Sequence, residues 1–300
     1  MVGGKPSQIH VTFPARVLTW DRFAVRNSST AATTTDEAAV AAWHVLQGFL
    51  ANLPQLDSQI KSKTFNLWTE SYGGHYGPSF FSYFEDQNNA IANGTQNGTR
   101  LIMDTLGIGN GIIDETIQAP YYPEFAVNNT YGIKAVNDSV YLDMKAAYYN
   151  PGMCKDQVAA CAASDRSTSE GEYICFNATE TCRAYVEGPY YEFSGRGTYD
   201  IRHPTDDPTP PDYFIDYLNQ ANVQQAIGVN LNYTPATESS AAVDGDFTTS
   251  GDFVYPQFIQ DLEQLLNNNV RVALYYGDAD YICNVTRPLS LSSSSRVMNP

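Results

Sequence analysis

One stretch constrains this chain more than any other: Phe65-Asn66-Leu67-Trp68-Thr69-Glu70-Ser71-Tyr72-Gly73-Gly74-His75-Tyr76-Gly77-Pro78. The apolar run 65–68 reads as a short buried strand, and Ser71 follows it at once. Gly73 and Gly74 permit a sharp turn, and the aromatic segment 80–84 carries helical spacing. Strand, serine, glycine turn and helix in that order are what a nucleophile elbow requires. The serine must stand on a strained turn at the top of a sheet, with its oxygen projecting outward. The N–H of the next residue, Tyr72, then faces a developing oxyanion, and the helix N-terminus adds positive potential. Thr69 stands where the common Gly-x-Ser-x-Gly pattern has its first glycine, so the pattern alone also fits a serine in a structural turn.

The flanking segments supply the sheet. Thr34-Thr35-Asp36-Glu37 reads as a capping box, after which Ala39, Val40, Trp43, Leu46, Phe49 and Leu50 fall at helical spacing until Pro54, where the helix is expected to stop. Residues 101–108 make a second buried strand ending in Gly109-Asn110-Gly111, and a helix at 258–266 precedes a strand at 270–276. Alternating strands and helices require a parallel sheet with crossover helices, so the core is expected to be α/β. From about Asp114 to Tyr255 the chain turns polar, Tyr-rich and Cys-containing, which reads as an insertion over the active end of the sheet, with helical pieces around Tyr213, Leu218, Val223 and Ile227 after the Pro-rich run 207–211. The expected organisation is a partial core at 27–114 and 256–286 and an insertion at 115–255. Residues 1–26 have no clear periodicity, and 287–300 form a serine-rich tail expected to be disordered.

The chain has 300 residues, and 43% hydrophobic content with 21 Tyr and 14 Phe can fill a substantial core. A net charge of -16 argues against nucleic acid and anionic membrane surfaces, both polyanions. No run of about 18 apolar residues is present, so no membrane span is expected. Asn-x-Ser/Thr occurs at Asn27, Asn93, Asn97, Asn128, Asn137, Asn177, Asn232 and Asn284, which points to the secretory pathway, extracellular or vacuolar. Residues 1–25 lack the continuous apolar core of a signal peptide, leaving either a missing start or another destination. Of the five cysteines, Cys154, Cys161, Cys175 and Cys182 cluster and Cys283 stands apart; four cysteines allow three connectivities. Their spacing does not match the Cys-x-x-Cys knuckles of zinc sites, and no motif calls for a metal or cofactor.

Residues 68–78 closely resemble the nucleophile motif of the serine carboxypeptidases, a peptidase family on the α/β-hydrolase fold, and are most similar to its fungal secreted members. The segments 109–114, 199–202, 207–211, 223–229 and 277–284 also resemble the family, so the resemblance runs from Asn27 to Asn284. It implies an α/β-hydrolase fold with a large disulfide-bonded insertion, pinned by a nested pair, Cys154 with Cys182 and Cys161 with Cys175. Cys283 is then the odd thiol near the site.

A serine hydroxyl needs a base to remove its proton and an acid to orient that base, in the chain order Ser, Asp, His. Asp278 and Asp280 both follow the 270–276 strand and are equal candidates on the residues alone. The resemblance places the acid at Asp280 and leaves Asp278 to cap the turn. It implies Ser71 as nucleophile, the Tyr72 N–H as an oxyanion donor, and Glu70 in an acid group, kept protonated by burial, that grips the C-terminal carboxylate of a peptide or protein substrate.

The four histidines, His10, His44, His75 and His203, all precede Asp280. His44 reads as structural, His75 belongs to the elbow motif without serving as base, and His203 reads as exposed. By resemblance the base lies beyond Asn284, in a Gly-His segment, and an upstream Asn-Gly-Gly-Pro-Gly supplies a further oxyanion donor; this chain contains neither. The expectation is an incomplete copy with little hydrolysis of its own and an exposed sheet edge. Two other readings stay open: acyl transfer to small acceptors, and a catalytically dead, secreted peptide-binding glycoprotein.

Overall fold

The computed structural model describes residues 9–12, 31–205, 213–230, 232–233 and 241–284. The tail 287–300, the Pro-rich run 207–211 and Asn27 lie outside them. Four strands, β1 (Ile9–Thr12), β2 (Thr64–Glu70), β3 (Ile102–Gly109) and β4 (Arg271–Tyr275), form one parallel sheet in the order β1-β2-β3-β4. This is the α/β arrangement expected. Within residues 1–26, read as lacking periodicity, four residues add the strand beside β2; so short a run carries no legible alternation.

Near the elbow α2 (Gly73–Ala92) packs on β2 and β3, and α1 (Thr35–Leu56) packs on α2. Thr34 caps α1 by accepting from the Glu37 N–H at 3.3 Å, while Glu37 reaches back one residue further than a capping box predicts, to the N–H of Thr33 at 2.8 Å. Pro54 does not stop the helix as expected. It sits inside the last turn of α1, where a lost i to i-4 bond is tolerated, and the chain leaves the helix after Leu56. The apolar stripe of α1 is Ala39, Ala42, Trp43, Leu46 and Leu50, whereas Val40 and Phe49, predicted to share it, face outward. Trp43 meets Phe84 of α2 at 5.3 Å, and Phe65 of β2 meets Phe81 at 5.7 Å. Each such fully buried ring is worth about 1.5–3 kcal/mol relative to exposure.

Between β3 and β4 the chain forms α3 (Glu115–Gln118), α4 (Tyr121–Val127), α5 (Asp138–Tyr149), α6 (Cys154–Ala163), α7 (Ser169–Cys182), a π turn (Arg183–Glu187), α8 (Gly188–Phe193), α9 (Tyr213–Leu218), α10 (Ala221–Ile227), α11 (Ala241–Thr249), a 3-10 turn (Asp252–Val254) and α12 (Phe258–Asn267). Disulfides join Cys154 to Cys182 and Cys161 to Cys175, the nested arrangement, which clamps α6 against α7. A second apolar cluster, with Tyr122, Phe125, Met144, Tyr190, Phe253 and Tyr281 among its members, is distinct from the one under the sheet. Tyr72 touches both.

Candidate active site

Register places the site. Glu70 of β2 pairs with Gly109 of β3, which pairs with Tyr275 of β4, so the three strands end level at their carboxyl edge. Ser71, Asn110 and Tyr276 are the residues that leave that edge.

Ser71 adopts φ 60°, a left-handed conformation that side chains rarely take. Its N–H donates to Gly109 O at 3.1 Å, and its carbonyl accepts from Gly74 N and from Ile112 N, both at 2.9 Å. The close approach explains a glycine: a Cβ on Gly74 would stand 2.1 Å from Ile112 O. The elbow is thus fixed to the turn after β3, with the side chain of Ser71 half-buried. No acceptor among the described residues takes the Tyr72 N–H, and α2 begins at the next residue, so that donor and the positive end of a helix lie beside Ser71.

Asp280 is buried and hangs from the same turn. Asn110, itself at φ 43°, donates through Nδ2 to Asp280 Oδ2 at 2.6 Å. Its Oδ1 accepts from Gly277 N at 3.2 Å, and its N–H donates to Tyr275 O at 2.9 Å. The second carboxylate oxygen accepts from the N–H of Cys283 at 3.0 Å. Cys283 is buried and outside any disulfide. Ser71 and Asp280 therefore share one support, the residues 109–112. Asp278 is tied instead to the Tyr131 hydroxyl at 2.5 Å, across to the insertion.

The other predicted residues fall as follows. Glu70 is exposed, where the resemblance implied burial. His75 is fully buried between Ile112 O, 2.6 Å from Nδ1, and Phe253 O, 3.2 Å from Nε2, and desolvation pushes its imidazole below the ordinary range. Both ring nitrogens face carbonyls, so it has no position left for general-base work. His203 is more than half exposed, with Nε2 3.6 Å from Asp200, and His44 points outward from α1. Among sequons, Asn93, Asn97, Asn128, Asn137 and Asn232 are exposed and Asn177 half-buried. Asn284 differs from these: it is fully buried, its amide donating to Tyr281 O at 3.1 Å. Among the described residues no His/Cys/Asp/Glu group could hold a metal, and no helix is long and apolar enough to cross a membrane.

Two residues escaped the sequence reading. Asn110 lay in a motif read only as a strand end, and nothing in a Gly-Asn-Gly run reveals that its amide would reach a residue 170 positions away. Asp252 had no motif at all. It is fully buried and accepts from Thr35 N at 2.9 Å, from Thr35 Oγ1 at 2.6 Å and from the Tyr72 hydroxyl at 2.7 Å. Burial first, and then that carboxylate, push the Tyr72 phenol well above its usual range, so it stays a neutral donor that braces the elbow.

Residues 23–298 match the family model described as serine carboxypeptidase. The chain is 42% identical over 279 residues to Carboxypeptidase S1 homolog B of Arthroderma otae, covering 87% of this chain and 41% of the relative. It is 38% identical over 253 residues to Carboxypeptidase S1 of Penicillium janthinellum, covering 84% and 56%. It thus spans about half or less of the curated relatives it matches. A prohormone-processing carboxypeptidase from Saccharomyces cerevisiae superposes with a TM-score of 0.59 over 88% of this chain and 54% of its own, at 19% identity, and so speaks to the fold, that of the α/β-hydrolases. On the breadth of the family match and the identity to its fungal members, the chain belongs to the serine carboxypeptidase family.

Proposed function

We propose that this chain carries the nucleophile and acid of a serine carboxypeptidase that removes C-terminal residues from peptides through an acyl-enzyme. Ser71 attacks the scissile carbonyl, the Tyr72 N–H receives the oxyanion, and Asp280 orients and stabilises the protonated base. The observation that carries this reading is the common support of Ser71 and Asp280 on residues 109–112, at the strained edge where three parallel strands end. Residues 27–114 and 256–286 form the catalytic core in this reading, and 115–255 the insertion that covers it. The exposed sequons support a secretory, glycosylated protein.

His75 is engaged by two carbonyls, His44 lies exposed on α1 and His203 faces Asp200, so none of these three serves as base, and the chain on its own hydrolyses peptides orders of magnitude more slowly than a complete triad. The test offers N-blocked dipeptides with a free C-terminus, with and without added imidazole, and follows released amino acid by mass spectrometry. Release that rises with imidazole and vanishes in Ser71→Ala is the expected result. Release that survives Ser71→Ala overturns the assignment. Tight binding of C-terminal peptides with no release under either condition favours a binding protein that has lost turnover.

A further inference from the structure

The residue after the nucleophile carries two polar groups. The backbone N–H of Tyr72 lies beside Ser71, and its hydroxyl donates to Asp252 Oδ2 at 2.7 Å. Asp252 stands in the 3-10 turn between α11 and α12, 180 positions further along the chain. A buried carboxylate is tolerated only where donors and countercharge surround it. Asp252 is fully buried, and Thr35 supplies its N–H at 2.9 Å and its hydroxyl at 2.6 Å. The countercharge comes from the positive end of α1, which Thr35 opens, and from Arg166, whose Nη1 lies 3.6 Å from Oδ1 while its guanidinium stacks on Tyr255. These contacts fix the carboxylate independently of Tyr72. The hydroxyl therefore meets an anchor tied to α1, an element outside the elbow.

The next residue strengthens the hold. Phe253 O lies 3.2 Å from His75 Nε2, and the Tyr72 ring stacks on His75 at 4.5 Å and on Phe253 at 6.4 Å. A strained turn keeps its shape only where its surroundings over-determine it. Ser71 is held through its own N–H and carbonyl, by Gly109, Gly74 and Ile112. Tyr72 enters α2 without a side-chain cap, and its ring and hydroxyl tie it to residues 252 and 253.

An N–H that receives a developing charge stabilises it most when its direction is set in advance. We propose that Asp252 is a positioning residue: through the Tyr72 hydroxyl it aims the Tyr72 N–H at the charge that forms when Ser71 bonds to a carbonyl. The proposal rests on the peptidase reading, which makes that N–H the oxyanion donor.

The probe is an N-acetylated aminoalkyl boronic acid, compared with the carboxamide of the same skeleton, each titrated into the whole chain by calorimetry. The Ser71 oxygen bonds to boron and its proton passes to the buffer. An anionic, four-coordinate boron results, with one oxygen where the oxyanion would stand; the carboxamide forms no such bond. Tyr72→Phe deletes one oxygen and keeps the ring and the N–H. It is expected to weaken the boronic acid about tenfold and the carboxamide less than about twofold. Asp252→Ala should act alike, and Asp252→Asn, from whose amide the Tyr72 hydroxyl can turn to accept, should recover most of the affinity. Tyr72→Phe combined with Asp252→Ala should lose little more than either alone. Equal weakening of both probes, or a lower urea midpoint with boronic acid affinity unchanged, marks a merely structural brace and overturns the positioning role. Tyr72→Phe decides alone if Asp252→Ala does not fold. The two readings fail separately. If the boronic acid binds and responds to Tyr72→Phe while imidazole releases no amino acid from peptides, the aimed donor stands without the peptidase. If release through Ser71 is seen while boronic acid affinity ignores both variants, or no adduct forms at Ser71, the role of Asp252 falls and the peptidase stands.

Discussion

At Ser71 the backbone is held where a side chain is strained, and that strain is measurable. Ser71→Gly removes the Cβ from a φ of 60° and should stabilise the chain by about 1 kcal/mol in urea denaturation, whereas Ser71→Val should cost at least as much. A gain from the glycine variant is the signature of a residue kept for its chemistry at the expense of stability. Asn110 makes the complementary case. Asn110→Gly keeps the turn but deletes the amide, and should lower stability by about 1–2 kcal/mol, because the buried Asp280 oxygen loses its donor. The sequence made Ser71 legible because glycines and an apolar strand bracket it locally. Asn110 and Asp252 were not legible, since their roles depend on hydrogen bonds to partners 170 and 217 positions away. Local pattern carries the turn, and long-range contacts carry what the turn holds.

Among the elements, α12 and the α6–α7 pair yield testable energetics. Asp261 on α12 is half-buried, and desolvation, helped by Asp36 and Asp86 against a Ser82 hydrogen bond, raises its carboxyl from 3.8 to about 6. A raised folded value means the contribution to stability is complete below pH 3.8 and is lost as pH climbs through 6. Discounted for partial exposure, the loss is about 2 kcal/mol. Asp261→Asn should flatten that part of the stability profile, measured by denaturation between pH 4 and 7. Opening the inner bridge by Cys161→Ala with Cys175→Ala frees a loop of 14 residues and should cost about 3 kcal/mol, read as a lower midpoint under non-reducing conditions. Element positions were largely legible from periodicity: the strands at 101–108 and 270–276 and the helix at 258–266 match β3, β4 and α12 to within a residue or so. The errors fell where periodicity is silent, at the four residues of β1, and where tolerance decides, at Pro54.

For the whole molecule, two apolar clusters meet at Tyr72, one beneath the sheet and one inside the insertion. One turn apart on α1, Val45 and Phe49 are both exposed. Apolar groups together on one helix favour association, so the chain should scatter more light as its concentration rises, and Val45→Lys with Phe49→Lys should suppress it. The turn after β3 has a longer reach than its size suggests. Because Ser71 and Asp280 are both moored to residues 109–112, the excursion between β3 and β4 can vary beyond those residues and away from Asp252 and Phe253 with Ser71 and Asp280 left in register. On the proposed peptidase reading, reaction and choice of substrate can then evolve at separate rates, and grafting the more distant part of another family member's excursion onto this sheet becomes a practical way to retune what it accepts.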